Sequence, residues 1–368
     1  MNMKTIDTAS MLAQFEIAGG VKEVAPLGNG LINDTYHVVT EADGAPDYVL
    51  QRINNAVFQD VDLLQHNIEV VTAHIRSKLA AAGTHDIDRK VLQFVKARDG
   101  KTYYRDEAGR YWRVMVYIAD SFTHEAVTPE SAYTAGLAFG EFEHLLVDLP
   151  EQLGETIPDF HNMELRMSQL RDAVGHNAVG RLSQVSDIVD ELERDANEMC
   201  QAERLYREGK LPKRICHCDT KVNNMLFDHE GQVLCVIDLD TVMPSFIFSD
   251  YGDFLRTGAN FTAEDDPDLS HVGFNETIFK SFTTGYLESA RSFLTHLEID
   301  YLPYAVALFP FMQCVRFLTD YINGDTYYKT QYATHNLDRT RNQLALYRDV
   351  RRHDAMMADF IRHLLSSC

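Results

Sequence analysis

The residues most able to do chemistry lie in one short stretch, His217-Cys218-Asp219-Thr220-Lys221-Val222-Asn223-Asn224, followed by Ile237-Asp238-Leu239-Asp240. The order is H-x-D-x-x-x-x-N, then an Asp behind an apolar run. Those residue types in that order suit phosphoryl transfer. Asp219 would accept a hydroxyl proton, while Asn224 and Asp238 hold Mg²⁺ against phosphates. A transferring phosphoryl group carries spread negative charge, so catalysis is mostly positioning and neutralisation. Mg²⁺ takes hard oxygen ligands and keeps several waters, so one carboxylate and one amide carbonyl suffice. The run Val233-Leu234-Cys235-Val236-Ile237 is apolar and β-branched, which predicts a buried strand delivering Asp238 at its end. Single Asp and Asn residues beside turns are commonly turn formers. The second Asp, behind a strand-like run, is what favours the catalytic reading.

Phosphates need a second element to hold them. Gly28-Asn29-Gly30-Leu31-Ile32-Asn33-Asp34-Thr35-Tyr36 lies between two predicted strands. Glycines there let backbone N–H groups approach phosphates without a Cβ in the way. The third Gly of G-x-G-x-x-G is missing, since Asn33 stands in its place. The stretch is neither a Walker A loop nor a dinucleotide fingerprint, because it lacks Gly-Lys-Ser/Thr and a strand follows it. Taken alone, a G-x-G turn is also an ordinary hairpin turn. The expected partner of such a loop is a Lys on the third strand, paired with a Glu on the next helix. Here Tyr48-Val49-Leu50-Gln51-Arg52 puts Gln51 at the Lys place, and Glu69 fits the helix Glu. Gln can hydrogen-bond a phosphate oxygen but cannot neutralise it. Arg52 points to the opposite face of a regular strand.

The elements that must position these groups are legible as texture. Strands are predicted over 21–27, 36–40, 48–53, 91–95 and 111–118, with turn residues Ala42-Asp43-Gly44-Ala45-Pro46 between the second and third. Leu64, Ile68, Val71, Ile75 and Leu79 recur at helical spacing over 61–79. After Ile118 the pattern turns helical. Thr128-Pro129-Glu130 is a helix start, with a capping Thr, Pro at the first position and an acid in the first turn. That helix should run to about 147. A second, charge-rich helix is predicted over 187–208, and helices again from 276 onward. The expectation is α+β: a small β-rich lobe over 1–118 and a large, mostly helical lobe over 119–368.

Composition bounds the partners. The 368 residues carry a formal net charge of −21, a poor match for nucleic acid or an anionic membrane. A polyanion such as ATP then needs local help from Mg²⁺ and backbone N–H groups. Residues 1–20 lack the apolar core of a secretory signal, and no run stands out as long enough to span a bilayer. The six cysteines are scattered, which suits reduced thiols in the cytoplasm. Cys216-His217-Cys218 has no second Cys or His pair at zinc-site spacing.

Together these motifs resemble the aminoglycoside phosphotransferase and choline kinase-like superfamily, whose fold is that of protein kinases. The resemblance narrows to the bacterial N-acetylhexosamine 1-kinases. Its carriers are the segments from Leu27 to Tyr36, Tyr48 to Gln51, His217 to Asn224 and Ile237 to Pro244, with Phe248-Ser249-Asp250-Tyr251-Gly252-Asp253, Arg316 to Asp325 and His335 to Arg341. It covers roughly residues 10 to 350. It implies an ATP- and Mg²⁺-dependent kinase of the anomeric hydroxyl of N-acetylglucosamine or N-acetylgalactosamine. Asp219 would be the base, and Asn224 and Asp238 the metal ligands. Gly28, Asn29, Gly30, Asn33 and Thr35 would surround the ATP phosphates, with Gln51 and Glu69 behind them. Val116, Tyr117 and Ile118 would receive adenine through the backbone. Leu31 stands where the resemblance leads one to expect His, which bears on sugar specificity.

The acceptor pocket is expected around Arg316, Tyr321, Tyr327 and Phe274. A buried Arg must be paired or serve a ligand, and Asp320 at i+4 is its natural helix partner. The three aromatic residues could equally be core packing. His217 reads as structural, and Asp250 and Asp253 as fixing the loop after Asp238. Three rivals stay open: a kinase of another small molecule, with Glu264-Asp265-Asp266-Pro267-Asp268 lining a pocket for a cationic acceptor; a nucleotide-binding pseudokinase, argued by Gln51; and a two-metal phosphoesterase. Oligomeric state is not legible.

Overall fold

A computed structural model describes residues 8–28 and 32–366. The chain divides into two compact units. One comprises residues 1–123, 148–157 and 226–242; the other comprises 124–147, 158–225 and 243–368.

The first unit is built on an antiparallel sheet. Its strands are β1 (Val21–Pro26), β2 (Asp34–Thr40), β3 (Tyr48–Ile53), β4 (Phe94–Val95), β5 (Tyr104–Arg105) and β6 (Tyr111–Val116). They lie in the order β1-β2-β3-β6-β4, with β5 also on β6. Alternation decides the two faces. Val38, Tyr48, Leu50, Trp112 and Val114 pack with Leu12, Phe15 and Ala97 into a core. On the other face Thr35 stands opposite Gln51, and Gln51 opposite Arg113. The helix Val61–Ala81 begins at Asp60, whose side chain caps Leu63 N–H, and buries Leu64, Ile68, Val71 and Ile75. A hairpin of β8 (Met225–Phe227) and β9 (Val233–Val236) follows much later in the chain. It leads to Asp238, in the left-handed region at φ 58°, and a 3₁₀ turn over Leu239–Thr241.

The second unit is helical apart from one short ribbon, β7 (Arg214–Cys216) against β10 (Met243–Ser245). Thr128 and Ser131 form a reciprocal capping box on the helix Pro129–Leu146, where the sequence predicts that start. This helix lies against Glu276–Ala290 so closely that glycine is required on both sides. A Cβ at Gly136 would sit 2.2 Å from Phe282 O, and one at Gly285 2.1 Å from Tyr133 O. The helix Leu302–Asn323 runs through the unit's core and ends at Gly324 (φ 93°). It is 22 residues long and, against the expectation from sequence, long and apolar enough to cross a bilayer. Its apolar stretch is 72% buried within the fold, as a core helix requires.

The α+β expectation holds: a small antiparallel sheet region, then a helical one. Two details differ. The predicted 187–208 helix is two, Ser186–Met199 and Gln201–Arg207, broken at Cys200 (ψ 10°). The predicted 91–95 strand shrinks to two residues. Five cysteines are described; all are free thiols, and four are buried.

Candidate active site

In the second unit, β7 ends at Cys216 and the chain turns sharply. Cys218 adopts φ 64°, a conformation non-glycine residues seldom take. What holds it is Asp250, at the start of the helix Phe248–Gly258. Its carboxylate accepts the backbone N–H groups of His217 and Cys218, each at 2.7 Å, and its carbonyl accepts Thr220 Oγ1–H at 2.7 Å. Asp250 therefore fixes the 217–220 loop itself, where the sequence reading gave it the loop after Asp238. Asp253 differs too, since it pairs with Arg256 in its own helix. His217 is fully buried between the edges of Phe139 and Phe142, and its Nδ1 accepts Asp219 N–H at 3.3 Å. It thus braces the loop from within.

The loop presents Asp219 between two neighbours. Lys221 Nζ lies 2.9 Å from Oδ1. Asn224 Nδ2 donates to Asp219 Oδ2 at 3.1 Å and to its carbonyl at 2.8 Å. Burial pushes the Asp219 carboxyl up, but the Lys221 ammonium, His217 and the Asn224 amide outweigh it and hold it below the usual range. Asp219 in turn raises Lys221. The Asn224 amide is oriented by these two N–H bonds to Asp219. Lys221 was not singled out in the sequence. The signal was there, a cation two residues after the candidate base.

The acceptor candidates separate. Arg316 donates to Gln313 Oε1 at 2.9 Å and lies over the rings of Phe160 (5.5 Å) and Tyr328 (5.7 Å). It has no carboxylate partner among the described residues. Asp320 is spent elsewhere: it accepts the N–H groups of Thr326, Tyr327 and Tyr328 and the Asn336 amide. The expected internal ion pair is thus absent. Tyr327 is 69% exposed, edge-on to Tyr328. Tyr321 and Phe274 are accounted for by packing. Tyr321 is buried under Arg181 and donates to Gln184 Oε1 at 2.9 Å, while Phe274 is buried against Phe279 and His353. Burial drives His161 well below its usual value, and the charges of Arg316, Arg166 and Arg256 add to this.

In the first unit, Gly28 takes φ 67°, and Leu27 N–H bonds to Thr35 O at 2.9 Å. Asn29, Gly30 and Leu31 lie outside the described residues. Gln51 and Glu69 do not pair with each other. Gln51 donates to Thr35 Oγ1 (3.1 Å) and accepts Arg113 Nε–H (2.8 Å); Glu69 accepts Thr102 Oγ1–H (2.5 Å). Arg52, on the face opposite Gln51, pairs with Asp34. In 116–118, Val116 N–H is bonded to Gln93 O and Tyr117 N–H to Asp47 O. Of the three amides, Ile118 N–H is the one without a hydrogen bond among the described residues.

The unforeseen residues of this unit are Arg113 and Asp240. Arg113 is 2% exposed and lies 2.6 Å from Asp240 Oδ1. Asp240 Oδ2 accepts the buried Asn33 amide at 2.7 Å, and Asn33 accepts Asn54 N–H. A cation inside an otherwise apolar strand was the available sign, because a buried charge must be paired. Its partner, far away in sequence, was not legible.

A family model described as the phosphotransferase enzyme family (APH) matches residues 23–281. The chain is similar to the structure of an aminoglycoside phosphotransferase from Alicyclobacillus acidocaldarius subsp. acidocaldarius, at 13% identity and a TM-score of 0.64, covering 99% of this chain and 98% of that one. It is also similar to amicoumacin kinase hAmiN in complex with AMP-PNP and Ca²⁺ (13% identity, TM-score 0.57, 93% and 92% covered). A choline/ethanolamine kinase family protein from Mesorhizobium loti matches likewise (18%, TM-score 0.56, 95% and 97%). At such identities the likeness is one of fold. Because the family model covers well over half of the 368 residues, from β1 into the Glu276–Ala290 helix, the chain belongs to the phosphotransferase enzyme family.

Proposed function

We propose that this chain is an ATP- and Mg²⁺-dependent kinase that phosphorylates O1 of N-acetylglucosamine or N-acetylgalactosamine. Asp219 accepts the proton of the anomeric hydroxyl. Lys221, now on Asp219, is placed to turn toward negative charge as the phosphoryl group arrives. Asn224 and Asp238 are the proposed Mg²⁺ ligands, and when bound the ion neutralises charge on the phosphates. The donor set fits it: hard oxygens, one amide and one carboxylate. Residues 1–118 are proposed to bind the nucleotide, with Gly28, Asn33 and Thr35 near the phosphates and Ile118 N–H facing adenine. Residues 119–368 supply the base and the acceptor contacts, and the reading places the protein in the cytoplasm.

The observation that carries the acceptor class is Arg316, a half-buried guanidinium without a carboxylate. Such a group suits hydroxyls and amide carbonyls, and repels an ammonium. Several relatives of this fold are named for amine-bearing acceptors, aminopropanol and ethanolamine among them. The acids that could welcome a cation here have partners already: Glu264 has Arg256, Asp265 has His335, Asp266 accepts Asp268 N–H, and Asp268 accepts Ser270 Oγ–H. Arg316 and Tyr327 are the proposed sugar contacts, while Tyr321 and Phe274 are left to packing.

The test is ³¹P NMR of ATP, Mg²⁺ and protein with each sugar. A new phosphate signal coupled to the anomeric proton is expected. Asp219→Asn should lower kcat by roughly 10²–10⁴-fold, the share of a general base. Transfer to choline or an aminoglycoside but to neither sugar would overturn the acceptor. Normal turnover in Asp219→Asn would remove the base.

A further inference from the structure

Gln51 leaves the first unit without a cation on β3, yet the unit does not lack one. Register places Arg113 of β6 directly beside Gln51. Its Nε donates to Gln51 Oε1 at 2.8 Å and its Nη1 to Gln65 Oε1 at 3.1 Å, while Nη2 faces Asp240 Oδ1 at 2.6 Å. Beyond Gln65 the bonds continue through Thr102 to Glu69. The cation thus stands one strand over, and the carboxylate that balances it is Asp240 rather than Glu69.

Asp240 follows Asp238 by two residues, on the 3₁₀ turn Asp238 opens. Arg113 takes one of its oxygens and Asn33, just after the glycine turn, the other. Its carbonyl accepts Thr156 Oγ1–H at 2.9 Å, and Asn67 of the 61–81 helix donates to Val242 O at 3.0 Å. Every bond that fixes Asp240 therefore also limits where Asp238 can point.

We propose that Arg113 is a positioning residue for metal binding: through Asp240 it locks the 238–241 turn and ties it to Asn33 of the phosphate loop. The role rests on the kinase reading above and concerns how Mg²⁺ strengthens ATP binding, whichever acceptor is used. Outer partners of a metal ligand commonly matter 10–100-fold for metal affinity.

The experiment is calorimetric ATP binding, with saturating Mg²⁺ and with EDTA, on the full chain. Removing one member would strand a buried charge, so the main variant is Arg113→Met with Asp240→Leu. Arg113→Lys and Asp240→Asn are made singly in case the double variant does not fold. Folding is checked by circular dichroism and Tm. We expect ATP affinity in EDTA to stay within about twofold, and the gain from Mg²⁺ to shrink by about tenfold or more. Arg113→Lys, which keeps the charge but loses the fork, should retain part of the gain. Folded variants with a lower Tm and an unchanged Mg²⁺ gain would overturn the role and leave Arg113 as scaffold. A parent protein whose ATP affinity ignores Mg²⁺ would overturn the kinase reading instead.

Discussion

Beneath the 217–220 loop, Glu143 receives one hydrogen bond, from Tyr286 Oη at 2.6 Å, and its other oxygen is buried without a hydrogen bond. Burial raises its carboxyl well above the usual range, and the Asp250 charge adds to this. Burial also pushes Asp250 up to about 6, against the opposing pull of His217 and two backbone N–H groups. Both folded values lie above the unfolded ones. Each group's stabilisation is thus complete below the ordinary carboxylate value, and is lost as pH rises through the folded value. For Asp250 the shift from 3.8 to about 6 corresponds to about 3 kcal/mol, most of it lost between pH 4 and about 6. Asp219 has the opposite sign, and its contribution is lost in acid. Glu143→Gln removes one titrating acid and keeps the shape. Its Tm should fall less than that of the parent between pH 5 and pH 9, because the raised Glu143 carboxyl no longer has to ionise as pH rises. Parallel Tm curves would mean that Glu143 ionises freely.

Among the elements, the contact of Pro129–Leu146 with Glu276–Ala290 is the least forgiving. Gly→Ala on an open helix gains about 1 kcal/mol. At Gly136 the new Cβ meets Phe282 O at 2.2 Å and Tyr286 N at 2.8 Å, both backbone atoms that cannot step aside. Gly136→Ala and Gly285→Ala should each destabilise by about 1–3 kcal/mol in urea unfolding. The double variant should cost less than their sum, because the helices separate once. A stabilised single variant would show that the helices stand further apart. These two helices also show what sequence can reveal. Thr128, Pro129 and Ser131 announce a start locally, and alternation announces β2, β3 and β6. Neither cue says that Gly136 faces Gly285. The same limit applies at the site. Asp219, Asn224 and Asp238 stand at short, fixed spacings, which is why a sequence can propose them together. Arg113 and Asp240 are 127 residues apart, and only the fold pairs them. The helix predicted over 187–208 failed at Cys200 because charge texture does not register a single kinked residue.

For the whole molecule the dominant fact is the net charge of −21. Like charges repel within a compact body, and salt screens them. Tm should therefore rise between about 10 mM and about 150 mM NaCl, where the Debye length falls from about 30 to about 8 Å. A fall would give the balance to surface pairs such as Arg207–Glu164 and Arg171–Glu193. The cysteines distribute differently from the charge. Burial lifts Cys200 to about 11 and Cys235 to about 12, and it pushes Cys216, Cys218 and Cys314 up as well. A thiol reacts as its thiolate, so at neutral pH these five should ignore maleimides. Once Cys368 is replaced by Ser, a cysteine placed on each unit could carry a fluorophore without competition from the native thiols. Energy transfer between the two dyes would then follow the protein, one molecule at a time, as nucleotide and sugar are added.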